Sequence, residues 1–329
     1  MCQVPLKAGE ARDRDGSTLP LVAKGGWDGG PRSQARRGRR RPGTEPARRI
    51  PRCPLYHRPM PADPVVDLLD QTWRSTADAC AGLTEADWEA ATDCTGWTVR
   101  DQLSHVIGTE LSLEGHASPP PVDPVPAYIR NPFGALNEAW IEERRSRPGA
   151  AVLAEFTEVT RRRVDELTAM SEERFEKVGP SPVGEVPYRQ FMWTRAFDSW
   201  VHEQDLRRAL GRPGDRDGAA EALTLDRVVS AMGYVLGRQV KPAEGTTVVW
   251  EITGPLARAV SIGIESGRGV VLADRPPEPT AQLTLDAETF WRLGLGRIDP
   301  AAALAGGSVV LAGDADLGTA VVTAMNFMF

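Results

Sequence analysis
The stretch RAFDSWVHEQDLRRALGRP, residues 195–213, sets Asp198 and His202 four residues apart and Asp205 one turn further on. At about 100° per residue these three fall among Phe191, Val201, Leu206 and Ala209 on one helical face. Ionisable groups inside an apolar stripe are costly to bury unless something satisfies them. The i,i+4 spacing stacks a carboxylate and an imidazole on one side of a helix. Such a pair can ligate one metal ion if a third ligand comes from another helix, leaving positions open for water or substrate. Asp205 could then steady a ligand from behind. The same pair can equally form a local hydrogen bond, and spacing alone does not separate the two readings.

Of the chain's 4 histidines, His57 lies in an N-terminal tail and His116 sits beside a Pro-rich connection, which leaves His105 as the third helical partner. Its wheel position is beside Asp101, Thr109 and Ser112, off the Leu103/Val106/Ile107 stripe, which predicts a partly exposed histidine at a helix edge. Arg195 and Arg297 are candidates for binding a cofactor. Arg195 could instead pair with Asp198, and Arg297 could simply lie on the surface. Trp97, Trp193 and Trp200 could line a pocket, although aromatic residues at helix contacts usually belong to the core. Cys94, just before Gly96-Trp97, reads as a small loop residue at a helix entrance. No Gly-x-Ser-x-Gly motif and no convincing catalytic cysteine is present.

Those residues need helices to hold them. DPVVDLLDQTWRSTADACAGL (63–83) carries apolar residues at three- and four-residue spacing. TVRDQLSHVIGTELSLEGH (98–116) opens with Thr98 and Asp101 in capping-box spacing. A Pro-rich connection at 119–132 precedes a third helical region, about 134–170, which Arg147-Pro148-Gly149 should break or bend. The fourth runs from about Pro187 to Leu210. Four helices so connected predict a four-helix bundle with its site on facing helices. GRPGDRDGAAEA (211–222) marks a shift in composition. Beyond it a helix at 225–239 leads into short β-branched strands at 246–253, 258–266, 269–274 and 281–286. The helices AETFWRLGLG and DADLGTAVVTAMNFM then flank a last strand in GGSVVLAG, an α+β arrangement. No internal repeat is apparent.

The net charge of −6 averages two unlike parts: residues 1–60 hold 14 Lys and Arg against 5 Asp and Glu. The acidic body that remains argues against nucleic acid or anionic membrane as its partner. The Arg/Pro/Gly-rich tail reads as disordered, and Met60 reads as the native start, with the residues before it an upstream extension. Without a secretory apolar run, a membrane-length stretch or a cysteine framework, a reduced cytoplasmic setting is expected.

CTGWTVRDQLSHVIGTE resembles the Gly-Trp-Thr…His segment of DinB-like metal-binding bundles, and FDSWVHEQDLRRALGRP resembles their second ligand segment. Residues 280–318 are similar to sterol-carrier-like folds. Together, over about 62–329, the chain resembles the mycothiol-dependent maleylpyruvate isomerase family. The resemblance implies an N-terminal DinB-like four-helix bundle (62–212), after the tail (1–61), then a linker (213–224) and a small sterol-carrier-like α+β domain (225–329). It implies metal ligands His105, Asp198 and His202; Asp205 behind them, and Arg195 and Arg297 toward the cofactor, are read from their positions in the sequence. Asp198 stands where the family usually has Glu. Being one methylene shorter, it must reach the ion by a backbone shift or through water. The implied chemistry is a divalent ion, Zn²⁺ first, activating the thiol of mycothiol for isomerisation of, or transfer to, a small electrophile in a monomer or homodimer. A non-catalytic metal- or apolar-ligand-binding module, or a divergent regulatory member, remains the alternative.

Overall fold
Asp63 accepts the backbone N–H of Val65 at 3.0 Å, and Pro64 takes the first helical position, so α1 (Pro64–Ala79) starts with its orphan donors met. The computed structural model describes residues 63–216 and 218–328; the basic extension 1–61 lies outside them. A short α2 (Glu85–Trp88) precedes α3 (Val99–Leu113), whose start is the capping box of Thr98 and Asp101 expected from their spacing. The third helical region is two helices, α4 (Pro132–Arg145) and α5 (Gly149–Thr168). The break needs its glycine: a Cβ on Gly149 would sit 2.1 Å from the Trp88 ring. A short α6 (Glu172–Phe175) and the hairpin β1 (Val178–Ser181) and β2 (Gly184–Pro187) lead into α7 (Tyr188–Ala209).

The helices α1, α3, α5 and α7 close a ring, with α7 and α5 each packed against both α1 and α3. The fifth long helix, α4, lies on α3 from outside that ring. Its Trp140 presses onto Gly108, where a Cβ would fall 2.4 Å away.

Beyond the connection, α8 (Ala219–Tyr234) begins inside the stretch expected to be linker, since Ala-Ala-Glu-Ala is good helix-forming sequence. It runs on into a π-helical turn (Val235–Val240). Strands β3 (Thr247–Thr253), β4 (Arg258–Glu265), β5 (Arg268–Val271) and β6 (Ala281–Asp286) follow. Then come α9 (Ala287–Gly294), α10 (Pro300–Ala305), β7 (Val309–Gly313) and α11 (Ala315–Ala324). The sheet order is β5-β4-β3-β6-β7, with β3 and β6 parallel and all other pairs antiparallel. Central Trp250 stands opposite Val260 on one side and Leu283 on the other. The fold is therefore a helical region followed by an α+β region with a mixed sheet.

The two regions share one apolar core. Trp200 of α7 meets Trp291 of α9 edge-on at 5.4 Å. Among the described residues, no helix is long and apolar enough to cross a membrane.

Candidate metal centre
Helix α7 lies between α1, α3 and α8, so Thr194–Leu206 is buried without interruption. The single apolar face read from the sequence is therefore only part of what is enclosed. Every polar side chain along that stretch must find a partner inside the protein or hold a ligand.

Asp198 and His202 face α3, and His105 meets them there. His105 Nε2 lies 3.1 Å from Asp198 Oδ2, and His202 Nε2 lies 3.5 Å from Asp198 Oδ1. The imidazole centroids are 4.7 Å apart at 68°. One donor atom from each residue falls within 4.8 Å of the others. All three are at most 2 % exposed, so His105 is not the helix-edge residue its wheel position predicts. The shorter Asp198 carboxylate comes within reach of both imidazoles where α3 and α7 pack together.

Burial, reinforced by the neighbouring His202 and the positive charge of Arg195 and Arg297, holds the His105 pKa well below the usual imidazole value. A neutral imidazole keeps a lone pair for a metal. Two imidazoles and one carboxylate form a donor set that suits a divalent transition ion. The residues present therefore fit the group.

A shell of hydrogen bonds sets the orientation of these candidate ligands. Gln102, one turn before His105 on α3, places Oε1 2.5 Å from His202 Nδ1, and its Nε2 donates to Thr92 Oγ1 at 2.6 Å. Thr92 Oγ1 in turn donates to the Trp97 carbonyl at 2.8 Å. Donation by His202 Nδ1–H to Gln102 leaves Nε2 unprotonated toward Asp198 and His105. Asp205 Oδ2 is a more distant neighbour of His202 Nδ1, at 3.5 Å. Sequence reasoning passed over Gln102; its place three residues before a candidate ligand on the same helix was the available signal.

Arg195 pairs with two of the protein's own carboxylates, while its Nη2 is buried without a hydrogen-bond partner. It bonds Asp198 Oδ2 through Nη1 and Glu110 Oε1 through Nε, the latter at 2.8 Å. Glu110 Oε2 accepts from Arg163 Nε at 3.0 Å, and Arg163 Nη2 donates to the Tyr188 hydroxyl at 2.8 Å. Burial alone would raise the Glu110 pKa, but Arg195 and Arg163 outweigh it and hold the carboxyl below its usual range. Arg195 thus orients the Asp198 carboxylate.

Arg297 is no surface residue. At 7 % exposed, it crosses from the α+β region and places Nε 3.1 and 3.0 Å from the two oxygens of Asp205. It also lines a small cavity with Cys94, Trp97, Tyr128 and Asn137. Trp97 also packs against two of the candidate ligands, its ring centroid 5.2 Å from His105 and 5.5 Å from His202. Gly96 lets the Tyr128 ring lie against this loop: at φ +83°, a Cβ there would lie 2.5 Å from that ring. Cys94 is a loop residue ahead of α3, as its sequence position implies; it is buried, and its sulfur lies within 4.8 Å of donor atoms on His202 and Asp205. Of the other tryptophans considered, Trp200 is wholly in the core and Trp193 is packed partly against it.

Comparison with known proteins gives the same two-part division. Residues 69–207 match the family described as mycothiol maleylpyruvate isomerase N-terminal domain, and residues 235–326 match the SCP-2 sterol transfer family. A solved mycothiol-dependent maleylpyruvate isomerase superposes with a TM-score of 0.50 at 16% identity, covering 75% of this chain and 91% of that one. A histidine-to-alanine mutant of that name gives 0.49 at 15% identity, with the same coverage. Among curated proteins, none is similar enough in sequence to match.

Proposed function
We propose, for a chain that belongs to the mycothiol maleylpyruvate isomerase family, that it is a metal-dependent enzyme using a low-molecular-weight thiol on a small electrophile. The observation that carries this reading is the buried convergence of His105, Asp198 and His202 from two helices, with Gln102 and Arg195 orienting them. A divalent ion there, Zn²⁺ first, would supply Lewis acidity that lowers a thiol's pKa and makes it a nucleophile at neutral pH. Mycothiol is the thiol that the family's description supports.

The chain's own residues have separable tasks. His105 offers a neutral imidazole, and Gln102 holds the proton of His202 on the side away from Asp198. Arg195 keeps the Asp198 carboxylate turned inward. Trp97 packs against both imidazoles, and Arg297, held by Asp205, lines the cavity beside Trp97 with Cys94 and Tyr128. The thiol sulfur, rather than a protein side chain, would form the bond to the electrophile. Release after rotation gives isomerisation; retention gives transfer.

Elemental analysis of purified protein, wild type beside His202→Ala, tests the reading. One divalent ion per chain is expected in the wild type and a loss of most of it in the variant. Thiol-dependent turnover should disappear with the ion. Wild-type protein that holds no stoichiometric metal after growth in supplemented medium would sink the proposal.

A further inference from the structure
The candidate metal ligands are sealed from solvent, none of the three being more than 2 % exposed. The cavity that adjoins them, lined by Cys94 and Trp97, has a volume of about 30 Å³, room for a water or two. Sites for small organic molecules usually measure about 300–1,000 Å³. A thiol and an electrophile therefore reach this centre only after part of the protein moves. Tyr128 and Ile129 line the same cavity and are only half-buried. Both belong to the Pro-rich connection between α3 and α4.

That connection is lightly held. No residue from 115 to 131 is buried. Val125 within it, and Phe133 and Leu136 just beyond it, are exposed apolar side chains. Among the described residues, Tyr128 alone ties residues 117–130 to other elements by hydrogen bonds: its hydroxyl donates to Glu138 Oε1 at 2.6 Å and accepts from Arg145 Nη2 at 3.2 Å. Glu138, wholly buried on α4, also accepts from Trp97 Nε1 at 3.1 Å through Oε2 and pairs with Arg145 at 2.6 Å. One carboxylate thus holds both aromatic residues of the cavity, and they differ in what it costs to move them. Trp97 is buried against both imidazoles. Tyr128 can leave without orphaning a charge, because Glu138 keeps Arg145 and Trp97 while the freed hydroxyl goes to water.

We propose that residues 117–130 are a cover over the metal centre, latched by the Tyr128 hydroxyl on Glu138, and that release of this latch admits the small molecules that react there. Segments with few buried contacts open at low cost, well before the rest of the fold. Opening lifts the Tyr128 ring from Gly96 and uncovers Cys94 and one side of Trp97. Glu138 meanwhile keeps the Trp97 indole in place, so the imidazoles stay positioned while the way in is open. What enters rests on the proposed function; that the cover opens does not, since Cys94 reports the opening without metal or thiol.

Alkylation of the full chain by iodoacetamide tests this, with peptide-resolved mass spectrometry following Cys94 beside Cys80. Cys80 is wholly buried in the main core, so its rate reports opening of the helical region as a whole. In the wild type, Cys94 should react far more slowly than in the urea-unfolded chain. Its rate should change little with low urea, whereas that of Cys80 should rise, because a local opening exposes little surface. Tyr128→Phe, which removes the latch and keeps the ring, should speed Cys94 about fivefold, the loss of one hydrogen bond. Tyr128→Ala, which removes the ring as well, should speed it further, and neither variant should change the Cys80 rate. The proposal is overturned if wild-type Cys94 reacts as fast as in the unfolded chain or rises with urea in step with Cys80. It is also overturned if the Tyr128 variants leave Cys94 unchanged or speed both cysteines equally.

Discussion
The two parts of this molecule use their interiors in opposite ways. In the α+β region only Glu221, Thr224, Ser261, Thr289 and Arg297 are buried polar residues among those described, and the core is built on Trp250, Phe290, Trp291 and the aliphatic residues of the strands. In the helical region the interior holds His105, Glu110, Arg163, Arg195, Asp198, His202 and Asp205 together. Buried ion pairs are weak evidence for stability, since desolvation can cancel their attraction and an apolar core of equal volume often does as well. A helix as charged as α7 gains little by being enclosed on every side. What enclosure gives it is a set of groups fixed at short distances in a dry site, which is what ligand binding and catalysis require. The contrast therefore locates chemistry in the helical region and a packed scaffold in the sheet. Arg297 reaches from the second region into the charged interior of the first, where it binds Asp205.

The strongest way to break that contrast is to remove a charge from the helical interior. Glu110→Ala leaves Arg163 and Arg195 facing each other without their shared carboxylate, and should cost about 3–5 kcal/mol, read by urea unfolding. Glu110 also makes this stability depend on pH in a definite direction. Its folded pKa lies below the usual 4.5, so its contribution is fully present above that value and is lost as pH falls through the folded pKa. Glu110→Gln should flatten the wild type's acid-side decline as pH falls below 4.5. A Glu110→Ala variant as stable as the wild type would mean that the network is not what holds α3, α5 and α7 together.

A smaller effect should separate function from stability within the same region. Gln102→Ala removes the partner of His202 Nδ1 without touching a ligand, and should weaken metal binding by about 10–100-fold. Competition with a chromophoric chelator measures it, and the urea midpoint should move less than in Glu110→Ala. Unchanged metal affinity would show that packing against Trp97 alone orients the His202 ring.

How far these features can be read from the sequence depends on the distance over which they are determined. The start of α3 is legible because Thr98 and Asp101 are three residues apart and satisfy each other's backbone. The strand at TTVVWEIT is legible because β-branched residues mark a strand buried on both faces. The Asp198–His202 spacing is local too, so the candidate pair was visible. The burial of His105 was not, because a helical wheel treats α3 alone and Asp198 and Trp97 cover that residue from outside the helix. The pairing of Arg195 with Glu110 spans 85 positions and leaves no periodic trace. The hairpin at Val178–Pro187 escaped notice because its prolines and glycines break any alternation, and it exists through the turn at Gly184. The split of the third helical region shows in its Pro-Gly pair, whereas the docking of α4 on α3 depends on Trp140 finding the bare surface of Gly108.

The least disruptive change sharpens the contrast from the other side. Ile262 on β4 is wholly buried, opposite Val248 on β3 and Val271 on β5. Ile262→Val removes one methylene from a core with no ionisable group at that position, and should cost about 0.5–1.5 kcal/mol. Because no charge is involved, the loss should be the same at pH 5 and pH 8, and metal content and chelator competition should match the wild type. Urea unfolding at the two pH values, with elemental analysis of the same preparations, checks both halves. A pH-dependent loss, or a loss of metal, would mean that strain in the sheet reaches the metal centre, with Arg297 and its bond to Asp205 as the path. In that case the sheet would be part of the site rather than its support.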